Sequence, residues 1–373
     1  MVSPEQWQRL LALEGMPQAA GEPVNRTEAA MRVSLSPYAM TLLAGRLVEQ
    51  EAVRARRGEL ADESVAVMRN RLRAHILPAL GDMDVRRIKS HTLDAFVLRL
   101  TQANLSNITV SQYLVIVRKA LKLAQKLGWL ERVPDFPAIK TPSKPRAMVT
   151  LGEYRRLTAV ARMLANRGAI APCINDKGDL VRSRFWVPEA DRVMQQDLVW
   201  VVRMMVNSFV RPTDIKVLQH KHVEIVHGAQ TYLRLNLPET KKHMGAVVTM
   251  PGAVRVYEAL RHHAKLLGKA SPEDYLFLPQ QHDRNYALSL LGFWFKWAMR
   301  EAGVADHDAS GGKRTLYSLR HSSIMYRLMY GQGIDMLTLA RNARTSVPMV
   351  ERHYASALTG EMNVDLLHSR RTR

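Results

Sequence analysis

Two arginines, a lysine pair and a tyrosine stand in this chain in settings that suit attack on a phosphodiester. One arginine lies in Phe209-Val-Arg-Pro-Thr-Asp-Ile215 and the other in Tyr317-Ser-Leu-Arg-His321. The lysines fall in Pro238-Glu-Thr-Lys-Lys242, and the tyrosine ends Thr345-Ser-Val-Pro-Met-Val-Glu-Arg-His-Tyr354. Attack at phosphorus builds negative charge on the non-bridging oxygens. A guanidinium meets that charge with a planar fork of donors that does not deprotonate. Arg211 and Arg320 are the candidates, and donors of this kind contribute about 3–4 kcal/mol each to a transition state. Asp214, three residues after Arg211, is placed to hold its guanidinium. Tyr354 is the candidate nucleophile. A phenol with an ordinary pKa near 10 is a weak one unless neighbouring cations favour the phenolate. The covalent product conserves the bond energy, so rejoining requires no ATP, metal or cofactor. Lys241 or Lys242, in a turn between strands, can protonate the departing 5′ oxygen. His321 and His353 are nearby candidates for a base. Tyr354 follows polar residues and precedes small ones, which predicts an exposed, mobile segment.

The elements around these residues follow from hydrophobic spacing. Residues 37–57, a stretch starting near Asp62 (capped by Asp62 or Ser64) and stopped by Pro78 and Gly81, and 92–100 read as helices. So does 109–127, with Val110, Tyr113, Leu114, Val117, Leu121 and Ala124 on one face. Four prolines between Pro134 and Arg146 predict an extended linker. Further helices are expected over 151–165, 195–209, 253–267, 288–302, 316–330, 335–341 and 347–354, with 166–190 as a long loop or insertion. Residues 223–226, 231–237 and 246–250 alternate or are β-branched, which predicts a three-stranded antiparallel sheet. The chain therefore reads as mostly α with a small antiparallel β-sheet. Its parts are an extension (1–32), a helical DNA-binding module (33–140), a linker (141–148), a catalytic domain (149–360) and a basic tail (361–373).

Charge narrows the partner. The 373 residues carry 54 Lys plus Arg against 34 Asp plus Glu, a formal +20, which points to a polyanion, nucleic acid being the commonest. Two basic modules on a stiff strap suit a clamp around a duplex. The N-terminus lacks the order of a secretory signal and no run approaches a membrane span, so a cytoplasmic, nucleoid-associated protein is expected. Cys173 is the single cysteine, His262-His263 has no third ligand nearby, and no phosphate-loop or dinucleotide motif occurs. Trp294, Phe295 and Trp297 read as core, as do Tyr326 and Tyr330.

The four motifs, in this order, resemble the tyrosine recombinase (phage integrase) family over roughly residues 33–358. The His-Ile-Leu-Pro-Ala-Leu-Gly-Asp run at 75–82 adds a helical, SAM-like core-binding domain to the resemblance. The resemblance implies a site-specific recombinase working through a 3′-phosphotyrosine intermediate, with Tyr354, Arg211, Arg320, Lys241 and Tyr317 catalytic and Asp214, His321 and Thr345 supporting. It favours Lys241 over its neighbour. Most relatives have histidine where Tyr317 stands and His or Trp where Thr345 stands; both residues here keep a hydrogen-bond donor. The implied partners are double-stranded DNA, a homotetramer on paired recombination sites (residues 355–373 docking on a neighbour) and accessory bending or directionality proteins. A phosphotyrosine topoisomerase and a catalytically decayed DNA-binding protein are the competing readings. An RNA-binding regulator is a weaker third, since no RNP-like aromatic motif occurs.

Overall fold

The computed structural model describes residues 36–141, 147–173, 181, 185–238, 245–331 and 334–354. Residues 4–14, whose spacing predicts a short amphipathic helix, lie outside them. The chain divides into two compact units, with the boundary between Pro142 and Ser143.

The first unit is helical: α1 (Met40–Arg56), α2 (Asp62–Arg71), α3 (Leu77–Leu80), α4 (Ser90–Gln102) and α5 (Asn107–Lys126). Ser106 starts α5 by accepting the Thr109 N–H at 3.3 Å, and the apolar face expected from its spacing is buried throughout. That face joins Met40, Leu43, Leu47, Ile76, Leu93 and Leu100 in one core. Glu51, 4% exposed, is buried between α1 and α5, where Arg54 at 3.2 Å and Lys119 at 3.5 Å neutralise it.

Three expectations change here. The cap of α2 is Ala61, and Asp62 stands in the first turn, where its charge still favours the positive end of the helix dipole. Pro78 does not stop the helix. A π turn over Leu72–Ile76 precedes it, with the Leu77 N–H reaching back to the Leu72 carbonyl, and this wider turn accommodates a ring that would otherwise strike the preceding turn. The proline-rich segment is irregular, but its first half is not a free strap. Phe136 and Ile139 pack on the helical core, the Arg118 guanidinium lies 4.4 Å over the Phe136 ring, and Asn107 donates to the Lys140 carbonyl at 2.8 Å. Two apolar side chains suffice to hold it down; residues 142–146 lie outside the description.

The second unit contains α6 (Leu151–Asn166), α7 (Gln196–Ser208), α8 (Pro212–Val217), β1 (Val223–Val226), β2 (Tyr232–Leu235), β3 (Val247–Val248), α9 (Pro251–Leu266), α10 (Arg284–Glu301), α11 (Leu316–Tyr330), α12 (Met336–Asn342) and α13 (Val347–Tyr354). The strands pair antiparallel in the order β1-β2-β3, with Val223 opposite Leu235 and Leu235 opposite Val247. Leu233, Leu235 and Val247 turn one face of the sheet into the core. Helix α7 is apolar nearly all round, and it is accordingly central, packed against α6, α9 and α11. Asp283 starts α10 four residues earlier than periodicity suggests, accepting the Asn285 and Tyr286 N–H groups at 2.8 and 3.1 Å.

Trp294, Phe295 and Trp297 are core residues, as their spacing predicts. Tyr326 is buried and donates to the Val149 carbonyl at 2.7 Å. Tyr330 is not core: one turn further on, at the end of α11, it is 60% exposed. Trp294 is fully buried, so Trp294→Ala is expected to cost about 3–5 kcal/mol in chemical denaturation of the second unit. A loss below about 1 kcal/mol would mean the cavity collapses without penalty. Among the described residues no helix is long and apolar enough to cross a membrane, and no group of His, Cys, Asp and Glu could hold a metal ion.

Candidate active site

The site is built where three chain segments meet. The first is the break between α7 and α8. Phe209 adopts φ +58 and reverses the chain, Arg211 takes an extended conformation as the N-cap of α8, and Pro212 supplies the first helical residue. Asp214 accepts the Arg211 backbone N–H at 2.7 Å. It therefore secures the arginine's main chain, not the guanidinium as the sequence suggested. A short carboxylate at the third helical position faces the N-cap amide, and local capping wins. The guanidinium of Arg211 instead donates through Nη2 to the Arg344 carbonyl at 2.6 Å.

The second segment is the first turn of α11. Tyr317 and Arg320 are three residues apart and share a helical face; Tyr317 is half-buried and Arg320 is 3% exposed. The Arg320 guanidinium donates through Nη1 to the Phe209 carbonyl and through Nη2 to the Ala343 carbonyl. Among the described residues its Nε makes no hydrogen bond. Burial, followed by the like charge of Arg211, pulls Arg320 below the usual arginine range, while Tyr317, Tyr354 and Asp214 act in the opposite sense. All four groups thus lie within electrostatic reach of one guanidinium.

The third segment runs from the end of α12 through α13. Thr345 is half-buried and donates its N–H to the Ala340 carbonyl at 2.9 Å. Tyr354 is 7% exposed, which corrects the expected exposed segment. Val350 and Tyr354, four apart, form the buried stripe of an amphipathic helix whose Glu351 and Arg352 face outward. The Tyr354 ring stacks on His321, with centroids 4.5 Å apart and planes at 22°. A stacked imidazole presents its face to the phenol, and its nitrogens lie in the ring plane. In this contact the His321 ring meets the phenol ring face to face. His353 is half-buried.

Lys241 and Lys242 lie outside the described residues. Pro238, which leads into their segment, accepts a hydrogen bond from Arg344 Nη2 at 3.0 Å. Arg344 itself was not singled out from the sequence. The one signal available was that α12 ends in Arg-Asn-Ala-Arg-Thr without a glycine. Beside Tyr317 opens a cavity of about 730 Å³ lined by Trp186, Phe293, Lys296, Trp297 and Arg300. Phe185 and Trp186, from the 166–195 segment, close its aromatic wall against Phe293 at 5.7 and 5.8 Å.

No protein-family model matches this sequence, and no curated protein matches it. Solved structures do. A lambda integrase dimer bound to a COC′ core site matches with a TM-score of 0.59 and 15% identity, over 94% of this chain and 85% of that one. The Tn1549 transposon integrase in complex with transposon right end DNA matches with a TM-score of 0.60 and 14% identity, over 88% and 98%. A lambda integrase tetramer bound to a Holliday junction gives a TM-score of 0.57 and 15% identity, over 92% and 86%. At such identities the likeness establishes the fold, which is that of the tyrosine recombinases.

Proposed function

We propose, from a fold shared with DNA-bound integrases, that this protein is a site-specific recombinase that cuts and rejoins DNA through a phosphotyrosine. The observation that carries this reading is the gathering of Tyr354, Arg211 and Arg320 at one place, from segments far apart in sequence. In the cleavage step the Tyr354 oxygen bonds to phosphorus and the P–O5′ bond breaks. The phenol proton passes to a base, and the leaving 5′ oxygen takes a proton from Lys241. Arg211 and Arg320 stabilise the charge on the non-bridging oxygens, with Tyr317 and Thr345 as further donors. Attack by a 5′-hydroxyl of a partner strand reverses these steps on new DNA. No energy source is consumed, since one ester replaces another. The working assembly is taken to be a tetramer on paired sites, as in the lambda integrase structure on a Holliday junction.

The test uses a duplex nicked beside the cleavage position, so that the short 5′-hydroxyl product diffuses away and the adduct is trapped. Short inverted repeats in the DNA flanking the gene supply candidate sequences. The native chain should give a denaturant-stable protein–DNA adduct. Binding without any adduct would leave a DNA-binding protein of the same fold, and relaxation of plasmids lacking a recombination site would indicate a topoisomerase. Binding should also fall steeply with salt. With a formal charge of +20 and several phosphates neutralised, affinity is expected to drop about 10³–10⁵-fold between roughly 50 and 200 mM salt. A flat plot of log affinity against log salt would count against extensive phosphate contact.

A further inference from the structure

Helix α12 ends in a turn that glycine usually makes. The Arg344 N–H bonds to the Arg341 carbonyl and the Thr345 N–H to the Ala340 carbonyl, both at 2.9 Å, the two bonds of a Schellman cap. Arg344, at the bend, has φ +50. An L-residue resists that angle, so the turn persists only where surrounding structure holds it. Its conformation matters to the site. Carbonyls at a helix end have no partner within the helix; here those of Ala343 and Arg344 receive Arg320 Nη2 and Arg211 Nη2. Two consecutive backbone oxygens of one turn thus aim both candidate arginines.

The residue just before the turn, Asn342, reaches the sheet. Strand β3 lies at its edge. The side of β3 that faces β2 is occupied: Thr249, next after the strand, donates its N–H to the Leu233 carbonyl at 3.0 Å. Val248 therefore turns its N–H and C=O outward, the unpaired groups that an edge strand presents. The Asn342 carboxamide meets both. Its Oδ1 accepts the Val248 N–H at 2.8 Å, and its Nδ2 donates to the Val248 carbonyl at 2.9 Å. A carboxamide has the donor and acceptor of a peptide group, so this side chain stands in for one residue of a further strand. Aspartate has no donor for the carbonyl, and glutamine would carry the same group one methylene away. Helix α12 gains nothing from asparagine, a poor helix former. The paired contact to Val248 is what this residue type serves.

We propose that Asn342 is a positioning residue that pins the turn aiming Arg211 and Arg320 to the outer edge of β3. This role rests on the function proposed above, because it is on a phosphate that the aim of two guanidiniums matters. The sheet, with Leu233, Leu235 and Val247 in the core, is the fixed frame. The turn, strained at Arg344, is the part that needs holding.

Asn342→Leu tests this, since leucine keeps the volume, favours the helix and makes neither bond. In hydrogen exchange on the full chain, peptides containing Val248 should exchange about tenfold faster, with those of α7 unchanged. On the nicked duplex, adduct formation should slow about 10–100-fold, the scale of a misplacement of up to about 1 Å, while DNA affinity stays within about threefold. A methylphosphonate at the cleavage position replaces one charged oxygen with a methyl group and leaves less charge for a guanidinium to meet. There the gap between variant and native chain should narrow to within about threefold, as it should for Arg211→Ala. A merely structural defect would slow both substrates alike. Asn342→Ala, which also makes neither bond and adds no bulk, should match Asn342→Leu within about threefold. An alanine variant reacting at the native rate would assign the defect to the leucine and overturn the role. Native exchange at Val248, a native rate of adduct formation in both variants, or a gap that persists on the methylphosphonate would each overturn it as well. If the native chain forms no adduct at all, the proposed function fails, and exchange still decides whether Asn342 holds the turn to the sheet.

Discussion

Tyr354→Phe is expected to abolish the covalent adduct, a loss of about 10⁵-fold or more, while DNA affinity and the unfolding transition stay near those of the native chain. The substitution removes one oxygen and keeps the ring. The ring is what packs: it stacks on His321 at 4.5 Å and shares the buried stripe of α13 with Val350. A phenylalanine retains both contacts, so a loss of reaction with an unchanged unfolding transition is chemical in origin. The control is Tyr317, the other phenol within reach of Arg320. As a donor to phosphate its removal in Tyr317→Phe should slow cleavage by about 10–10³-fold and leave a measurable adduct. If the two variants exchange these phenotypes, the nucleophile is Tyr317. If Tyr354→Phe still forms an adduct at the native rate, the attacking group lies elsewhere. The stack also holds the Tyr354 ring in place. His321→Ala should therefore loosen the ring more than it changes the chemistry.

How far the site could be read from the sequence differs from residue to residue, for physical reasons. Arg211, Arg320 and Tyr354 sit in local patterns, a helix break with Pro212, the first turn of α11 and a short C-terminal helix, and each pattern is a property of neighbouring residues. Trp294 and the α5 face were legible for the same reason: helical period reports burial directly. The errors arose where local pattern and tertiary packing disagree. Glu351-Arg352-His353 make Tyr354 look exposed, but Glu351 and Arg352 occupy the outer face of a helix whose inner face is set by the four-residue step from Val350. Asp214 points by spacing to the wrong part of Arg211, because spacing alone does not distinguish a main-chain donor from a side-chain one. Pro78 reads as a stop because a π turn leaves no compositional mark. Arg344 leaves no such trace in the sequence. Its importance lies in a backbone angle and in contacts to Pro238 and Arg211 more than a hundred positions away, and nothing in a one-dimensional window carries that.

The second large effect is expected at the arginine pair, and it separates into two components that different variants isolate. Arg320 is buried against two backbone carbonyls. Arg320→Ala should slow adduct formation about 10²–10³-fold through the lost donor. It should also lower stability, because each buried carbonyl left unsatisfied costs about 1–3 kcal/mol. Arg211 is only half-buried and spends one bond on the Arg344 carbonyl. It lies close enough to Arg320 to lower that group's pKa, second only to burial. The sign follows directly. A cation whose folded-state pKa is depressed is destabilising at every pH below its ordinary value, which for arginine covers the whole working range. Removing Arg211 relieves that repulsion but also takes away the donor to the Arg344 carbonyl, so Arg211→Ala should move the unfolding midpoint less than Arg320→Ala does, while cleavage falls by the same 10²–10³-fold or so. A large loss of reaction with little loss of stability is the mark of a functional cation, since two neighbouring guanidiniums gain most when a phosphate arrives between them. Were Arg211→Ala to lose stability and cleavage in parallel, Arg211 would be a structural residue, and the pair would not be a phosphate clamp.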